Sequence, residues 1–101
     1  MFEASKPRYM TSTIAEELDE EIQRILWSII DQRRDHQEEL DYLQVFELTA
    51  KSDQLTIINR QEQPPIKRKY QYPYSNNKRI LKTVWIIESG DYCIMLAPSD
   101  Y

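Results

Sequence analysis

A chain of 101 residues with 41% hydrophobic residues, 30% charged residues and a net charge of −4 has the composition of a folded globular protein and excludes a disordered one. One domain, 1–101, is expected, with about 60–70% of the chain's surface available for burial in a single core. The lone Gly excludes a glycine-rich phosphate cradle, because backbone that closely approaches a phosphate needs several residues without a Cβ.

The run RYMTSTI (8–14) alternates and is rich in Thr and aromatic side chains, which predicts a first strand. Leu18, Ile22, Ile25, Leu26, Ile29 and Ile30 then recur with the 3.6-residue period of an amphipathic helix. Thr13 with Glu16 suits a capping box, and Asp19 suits a cap one turn later; the acids between 16 and 21 complement the helix dipole from either start. Arg33 and Arg34 complement its other end. YLQVFEL (42–48) and LTIIN (55–59), separated by TAKSDQ, predict an antiparallel hairpin. Pro64 and Pro65 end its second strand, since neither donates a ladder hydrogen bond. A strand over 66–72 stops at Pro73, SNN (75–77) supplies turn chemistry, and ILKTVWII (80–87) has the aliphatic density of a central strand. ESGD, with Gly90 supplying a positive φ, turns the chain into YCIML. The expectation is an α+β fold: one amphipathic helix packed on a mostly antiparallel sheet of about five or six short strands.

Strand alternation distributes apolar residues to both faces of that sheet, because Leu81, Trp85 and Ile87 oppose Ile80, Val84 and Ile86. One helix covers one face. The other is expected to meet a second copy or a protein partner, with Trp85, Leu81, Ile87 and Met95 as candidate interface residues. Trp27, beside Leu26 on the helix, is read as core. Charge is segregated as well: residues 63–87 carry six cations and no acid, leaving −10 on the remainder. Lys67, Arg68, Lys69, Lys78, Arg79 and Lys82 are therefore candidate nucleic-acid contacts. Alternation argues against a simple stacking platform, since Ile66, Arg68, Tyr70 and Tyr72 share one face and Lys67, Lys69 and Gln71 the other. That pattern, flanked by prolines, is the pattern of a protected edge strand, so nucleic acid ranks second among partners.

The segments RYMT (8–11), LWSIID (26–31), DYLQVFEL (41–48), RQEQP (60–64) and ESGDYCIMLAPSDY (88–101) together resemble domain-of-unknown-function family 960 over nearly the whole chain. Its members are small proteins of staphylococci, other Gram-positive bacteria and their phages and mobile elements. The resemblance implies a cytoplasmic protein of phage or mobile-element type; it carries no activity or catalytic residue to transfer.

No motif points to catalysis. The acidic run 16–21 lacks the spacing of a calcium loop and is accounted for by the helix dipole, so no metal is expected. His36, the one histidine, sits in a polar, solvated run. Cys93 lies in a hydrophobic strand, which favours a buried structural thiol over a nucleophile. As a lone cysteine it also suits a reducing, cytoplasmic setting. No apolar run approaches the about 20 residues that span a bilayer, and MFEASKPRY lacks the layout of an export signal. A non-enzymatic, cofactor-free interaction or regulatory protein is the leading expectation.

Overall fold

The computed structural model describes residues 2–3, 5–75 and 80–101. In chain order these form β1 (Arg8–Met10), α1 (Ser12–Glu17), α2 (Glu20–Asp35), β2 (Leu43–Lys51), β3 (Gln54–Gln61), β4 (Ile66–Pro73), β5 (Thr83–Glu88), β6 (Cys93–Leu96) and a closing 3₁₀ turn, Pro98–Asp100. The six strands make one sheet in the order β1-β6-β5-β2-β3-β4. Only β1 and β6 run parallel; every other neighbour is antiparallel. This is the expected α+β fold.

Two boundaries differ from expectation for local reasons. The predicted strand 8–14 stops at Met10, because the Thr11 hydroxyl accepts a hydrogen bond from the Ile14 N–H at 3.4 Å and starts a helix. That short helix ends at Leu18, whose backbone is extended, and Asp19 caps α2 by accepting from the Glu21 N–H. Both anticipated starts thus correspond to helices, although Thr11 rather than Thr13 caps the first. The predicted strand 80–87 begins only at Thr83. The SNN turn, together with Lys78 and Arg79, lies largely outside the described residues.

The hairpins follow their turn residues. β2 and β3 run to Lys51 and from Gln54, joined through Ser52 and Asp53, which both have positive φ (55° and 59°) as a tight two-residue hairpin turn requires. Gly90 (φ 79°) serves the β5–β6 turn as expected. At the C-terminus of α2, Gln37 (φ 59°) takes the left-handed position; its N–H donates to the Arg34 carbonyl and that of Glu38 to the Arg33 carbonyl. These two bonds form a Schellman cap, and they turn Glu38 back towards Arg33.

Ile14, Leu18, Ile22, Leu26, Ile29 and Ile30 pack with Phe46, Leu48, Leu55, Ile57, Val84, Ile86, Cys93 and Met95 in one core cluster. The helices therefore cover the sheet face that carries Phe46 and Ile86. The C-terminus is fastened to the start of α1: Asp100 accepts from the hydroxyls of Thr11 (2.7 Å) and Thr13 (2.8 Å) and from the Ala97 N–H (2.9 Å). Those three donors hold its carboxyl below the usual range. At the other end of the core, Trp27 packs against the cluster as expected, and the Arg8 guanidinium lies over its ring at 4.6 Å while pairing with Asp31.

Candidate functional site

Register assigns the residues of the second face, opposite the helices. Lys67, Arg60, Val45, Trp85 and Leu96 form one transverse row across β4, β3, β2, β5 and β6, and Lys69, Ile58, Glu47 and Thr83 form the next. Ile87 pairs with Leu43 on one side and Ile94 on the other, and Ile94 pairs with Tyr9. The face is apolar around Trp85, Ile87, Ile94, Leu43 and Val45, and β3 and β4 add Arg60, paired with Glu47 of β2, and Lys67 and Lys69. Tyr9 (54% exposed) and Tyr42 (51%) mark how open it is. Trp85 is half-buried, with Tyr101 meeting it edge-on at 5.7 Å between ring centres.

A groove of about 510 Å³ opens on this face, floored by Leu43, Val45 and Trp85 and flanked by Tyr42, Arg60 and Lys67. Its end wall is the 62–65 loop. That wall is tied from two sides. Asp41 uses one carboxylate oxygen to accept the N–H groups of Glu62 (3.3 Å) and Gln63 (3.1 Å), and the other to accept that of Tyr42 (2.8 Å). Gln61 donates to the carbonyls of Glu39 (3.0 Å) and Pro64 (2.9 Å).

Beneath the wall lies a buried polar network. Arg33, 2% exposed, donates from Nη1 to Gln44 (2.8 Å) and Asn59 (2.6 Å), from Nη2 to Gln61 (2.7 Å), and from Nε to Glu38 (2.9 Å). Among the described residues no buried side-chain nitrogen or oxygen lacks a hydrogen-bond partner, so the desolvation of these groups is compensated. Gln61 belongs to both structures. Helix α2 thus fixes the groove wall through Arg33 and Gln61, which makes the groove preformed.

Glu38 receives both Arg33 and Arg68 (2.7 Å). Burial alone would raise its pKa, but the two guanidinium hydrogen bonds outweigh it and hold the carboxyl below its ordinary value. Asp31, between Arg8 and Arg34, is lowered by the same balance. A lowered folded pKa stabilises the fold above the unfolded carboxylate value of about 4, and that contribution is lost as pH falls through the folded pKa. Stability in urea is therefore expected to stay level between about pH 5 and 8 and to fall below about pH 4. Glu38→Gln should flatten the acid limb. Equal acid sensitivity in that variant contradicts this account.

The predicted interface residues divide. Trp85 and Ile87 lie on the open face. Met95 does not: it pairs with Ile86, is fully buried and belongs to the core, whereas Ile94, partly exposed, and Leu96, 5% exposed, point to the face opposite the helices. Leu81 is also displaced, because β5 starts after it; it packs partly against the core. The open-face residues Leu43, Val45, Arg60 and Tyr9 complete the surface.

Among the predicted basic residues, Lys67 and Lys69 are exposed on the open side of β4, and neither makes an ion pair among the described residues. Arg68 points to the other side and is committed to Glu38. Lys82 falls in register with core-facing Leu48, whose N–H donates to its carbonyl, and lies three strands from β4, about 14 Å away at ordinary strand spacing. The described basic residues therefore do not form one track. His36 caps the exposed end of α2, and Cys93 is 2% exposed with its thiol pKa raised by burial and by Glu88. Neither lines the groove. Among the described residues no group of three His, Cys, Asp or Glu is placed to hold a metal ion, and no helix is long and apolar enough to cross a membrane.

Together these features define a small α+β protein with a helix-covered sheet face, an open second face and a preformed groove on it. The chain belongs to the family described as Staphylococcal protein of unknown function (DUF960), whose profile matches residues 7–100. Its fold is similar to that in the crystal structure of a protein of unknown function from Enterococcus faecalis, with a TM-score of 0.88 at 21% identity. That match covers 100% of this chain and 98% of the other. No functionally curated protein matches the chain.

Proposed function

We propose that the protein is a non-enzymatic interaction module that holds a protein partner, or a second copy of itself, on the open face of its sheet. The observation that carries this reading is the partly exposed apolar surface of Trp85, Ile87, Val45 and Ile94, on the sheet face opposite the helices, where the C-terminal segment reaches only the Trp85 and Leu96 end. A preformed groove floored by an aromatic anchor suits recognition, since Trp at the centre of a docking surface contributes heavily to affinity. A non-catalytic role is supported by the positions of His36 and Cys93, one solvated at a helix end and the other buried and protonated. The cytoplasmic setting draws support from that reduced thiol, and a regulatory role of phage or mobile-element type from the family resemblance.

Nucleic-acid binding ranks second, because of the candidate cations among the described residues only Lys67 and Lys69 share a face without an ion pair. The test is Trp85→Ala, with folding checked by circular dichroism. It is expected to weaken self-association in sedimentation equilibrium, or retention of the host partner in pull-downs, by at least about tenfold. A monomer at micromolar concentration whose partner capture is unchanged by the substitution refutes the proposal.

A further inference from the structure

The outer edge of β4 is a second surface, adjoining the open face through Lys67 and Lys69. It ends the sheet, and among the described residues no strand pairs with its outer side. Its register with β3 is unbroken over eight residues, from Gln61 opposite Ile66 to Gln54 opposite Pro73. Proteins blunt such edges by shortening, bulging, covering or charging them; within Ile66–Pro73, charge is the principal device.

The direction of its backbone groups follows from one bond beyond the strand. The Tyr74 N–H donates to the Asp53 carbonyl at 3.0 Å, and these two residues continue the β3–β4 register. Antiparallel ladders alternate, so the amides of Ile66, Arg68, Tyr70 and Tyr72 face β3, and those of Lys67, Lys69 and Gln71 face outward. The outward amides thus belong to the residues whose side chains stand on the open side. A strand docked antiparallel to β4 would set its own residues directly opposite Lys67, Lys69 and Gln71, side by side on that face. Its intervening residues would lie beside Tyr70 and Tyr72, which are half-buried against the core.

We propose that β4 accepts an extended peptide segment as a seventh strand, and that the segment carries carboxylates opposite Lys67 and Lys69 and apolar side chains opposite Tyr70 and Tyr72. Charge decides the occupant. A second copy of β4 placed antiparallel would bring a lysine opposite a lysine when centred on Arg68 or Lys69, and when centred on Tyr70 would set Lys67 opposite Pro73, which has no N–H to donate. Like charges directly opposite are unfavourable and a proline breaks the ladder, so Lys67, Lys69 and Pro73 together disfavour self-pairing, and the lysines admit an acidic strand. Arg68 takes no part, since Glu38 already holds it on the other side. The recognition mode is strand addition, in which main-chain hydrogen bonds supply affinity and alternate side chains supply specificity.

The probe is the acetylated, amidated hexapeptide LTVEVE, whose antiparallel register sets its two glutamates against Lys69 and Lys67. Titration into the ¹⁵N-labelled protein is expected to shift the amides of Lys67, Lys69 and Gln71 and to slow their hydrogen exchange. LTVQVQ should bind roughly 3- to 30-fold more weakly, from two lost charge pairs. Methylating the backbone nitrogens of both glutamates should abolish binding, which a purely electrostatic contact would survive. Lys67→Glu with Lys69→Glu, two exposed changes that leave the fold intact, should lose LTVEVE and gain LTVKVK. No response at millimolar peptide means a blunted edge only and overturns the proposal. So does a dodecamer of thymidylate that shifts the same amides while LTVEVE does not, which would reassign the lysines to nucleic acid.

Discussion

Replacing Arg33 by alanine is expected to destabilise the fold by about 3–5 kcal/mol, the range found when one partner of a buried charged network is removed. The deletion strands Gln44, Asn59 and Gln61 in the core and removes one of the two cations that hold Glu38. For a chain of this size that corresponds to a fall in Tm of more than about 12 °C. Arg33→Lys should recover only part of the loss, because an ammonium cannot reproduce the planar fork that reaches three amides and a carboxylate at once. A second readout links the network to the groove: amide exchange at Glu62 and Gln63 should quicken, since Gln61 no longer has Arg33 to hold it. A loss below about 1 kcal/mol, the worth of an ordinary hydrogen bond, would show that the amides satisfy one another without the guanidinium.

Phe46→Ala is expected to cost a comparable 3–5 kcal/mol, roughly, by leaving a cavity in the middle of the core. Phe46 is fully buried on β2 between Val84 of β5 and Asn59 of β3, where the sheet meets the helices. Neighbours on both sides are locked in the ladder, so the site has little room to collapse. Phe46→Leu should lose less than about 1.5 kcal/mol, because most of the volume is kept. Urea unfolding is the measurement, with a lower midpoint and an unchanged slope expected for both variants. A Phe46→Ala loss below about 1 kcal/mol would mean that the surrounding residues refill the space.

Hairpins were the most legible part of the fold, because Gly90, Ser52 with Asp53, and the proline pair at 64 and 65 act locally. β4 was legible to the level of faces: alternation alone placed Lys67 and Lys69 opposite Tyr70 and Tyr72. The strand expected over 8–14 failed because Thr and Ile suit both a strand and a helix start, and the Thr11 hydroxyl decides between them only once it finds the Ile14 amide. Met95 was assigned to the wrong face for a different reason. Relating one strand's faces to the next across a hairpin needs the register, and a shift of one residue exchanges them. Arg33 is marked in the sequence. It continues the buried helical stripe seven residues after Leu26, and Gln44, Asn59 and Gln61 occupy core-facing positions on adjacent strands. Three amides and a guanidinium on facing apolar surfaces mark a buried network. The groove itself was not legible, since its wall depends on Asp41 reaching the amides of Glu62 and Gln63 across the sheet's end.

The two rims of the sheet are unequal: β4 offers eight residues, whereas β1 offers three and is tied in parallel to β6. Open-ended stacking of copies requires both rims to be serviceable, because each added subunit must present a fresh one to the next. Here growth halts after a single addition. Strand capture by this protein is accordingly expected to give a discrete one-to-one complex and never a fibre.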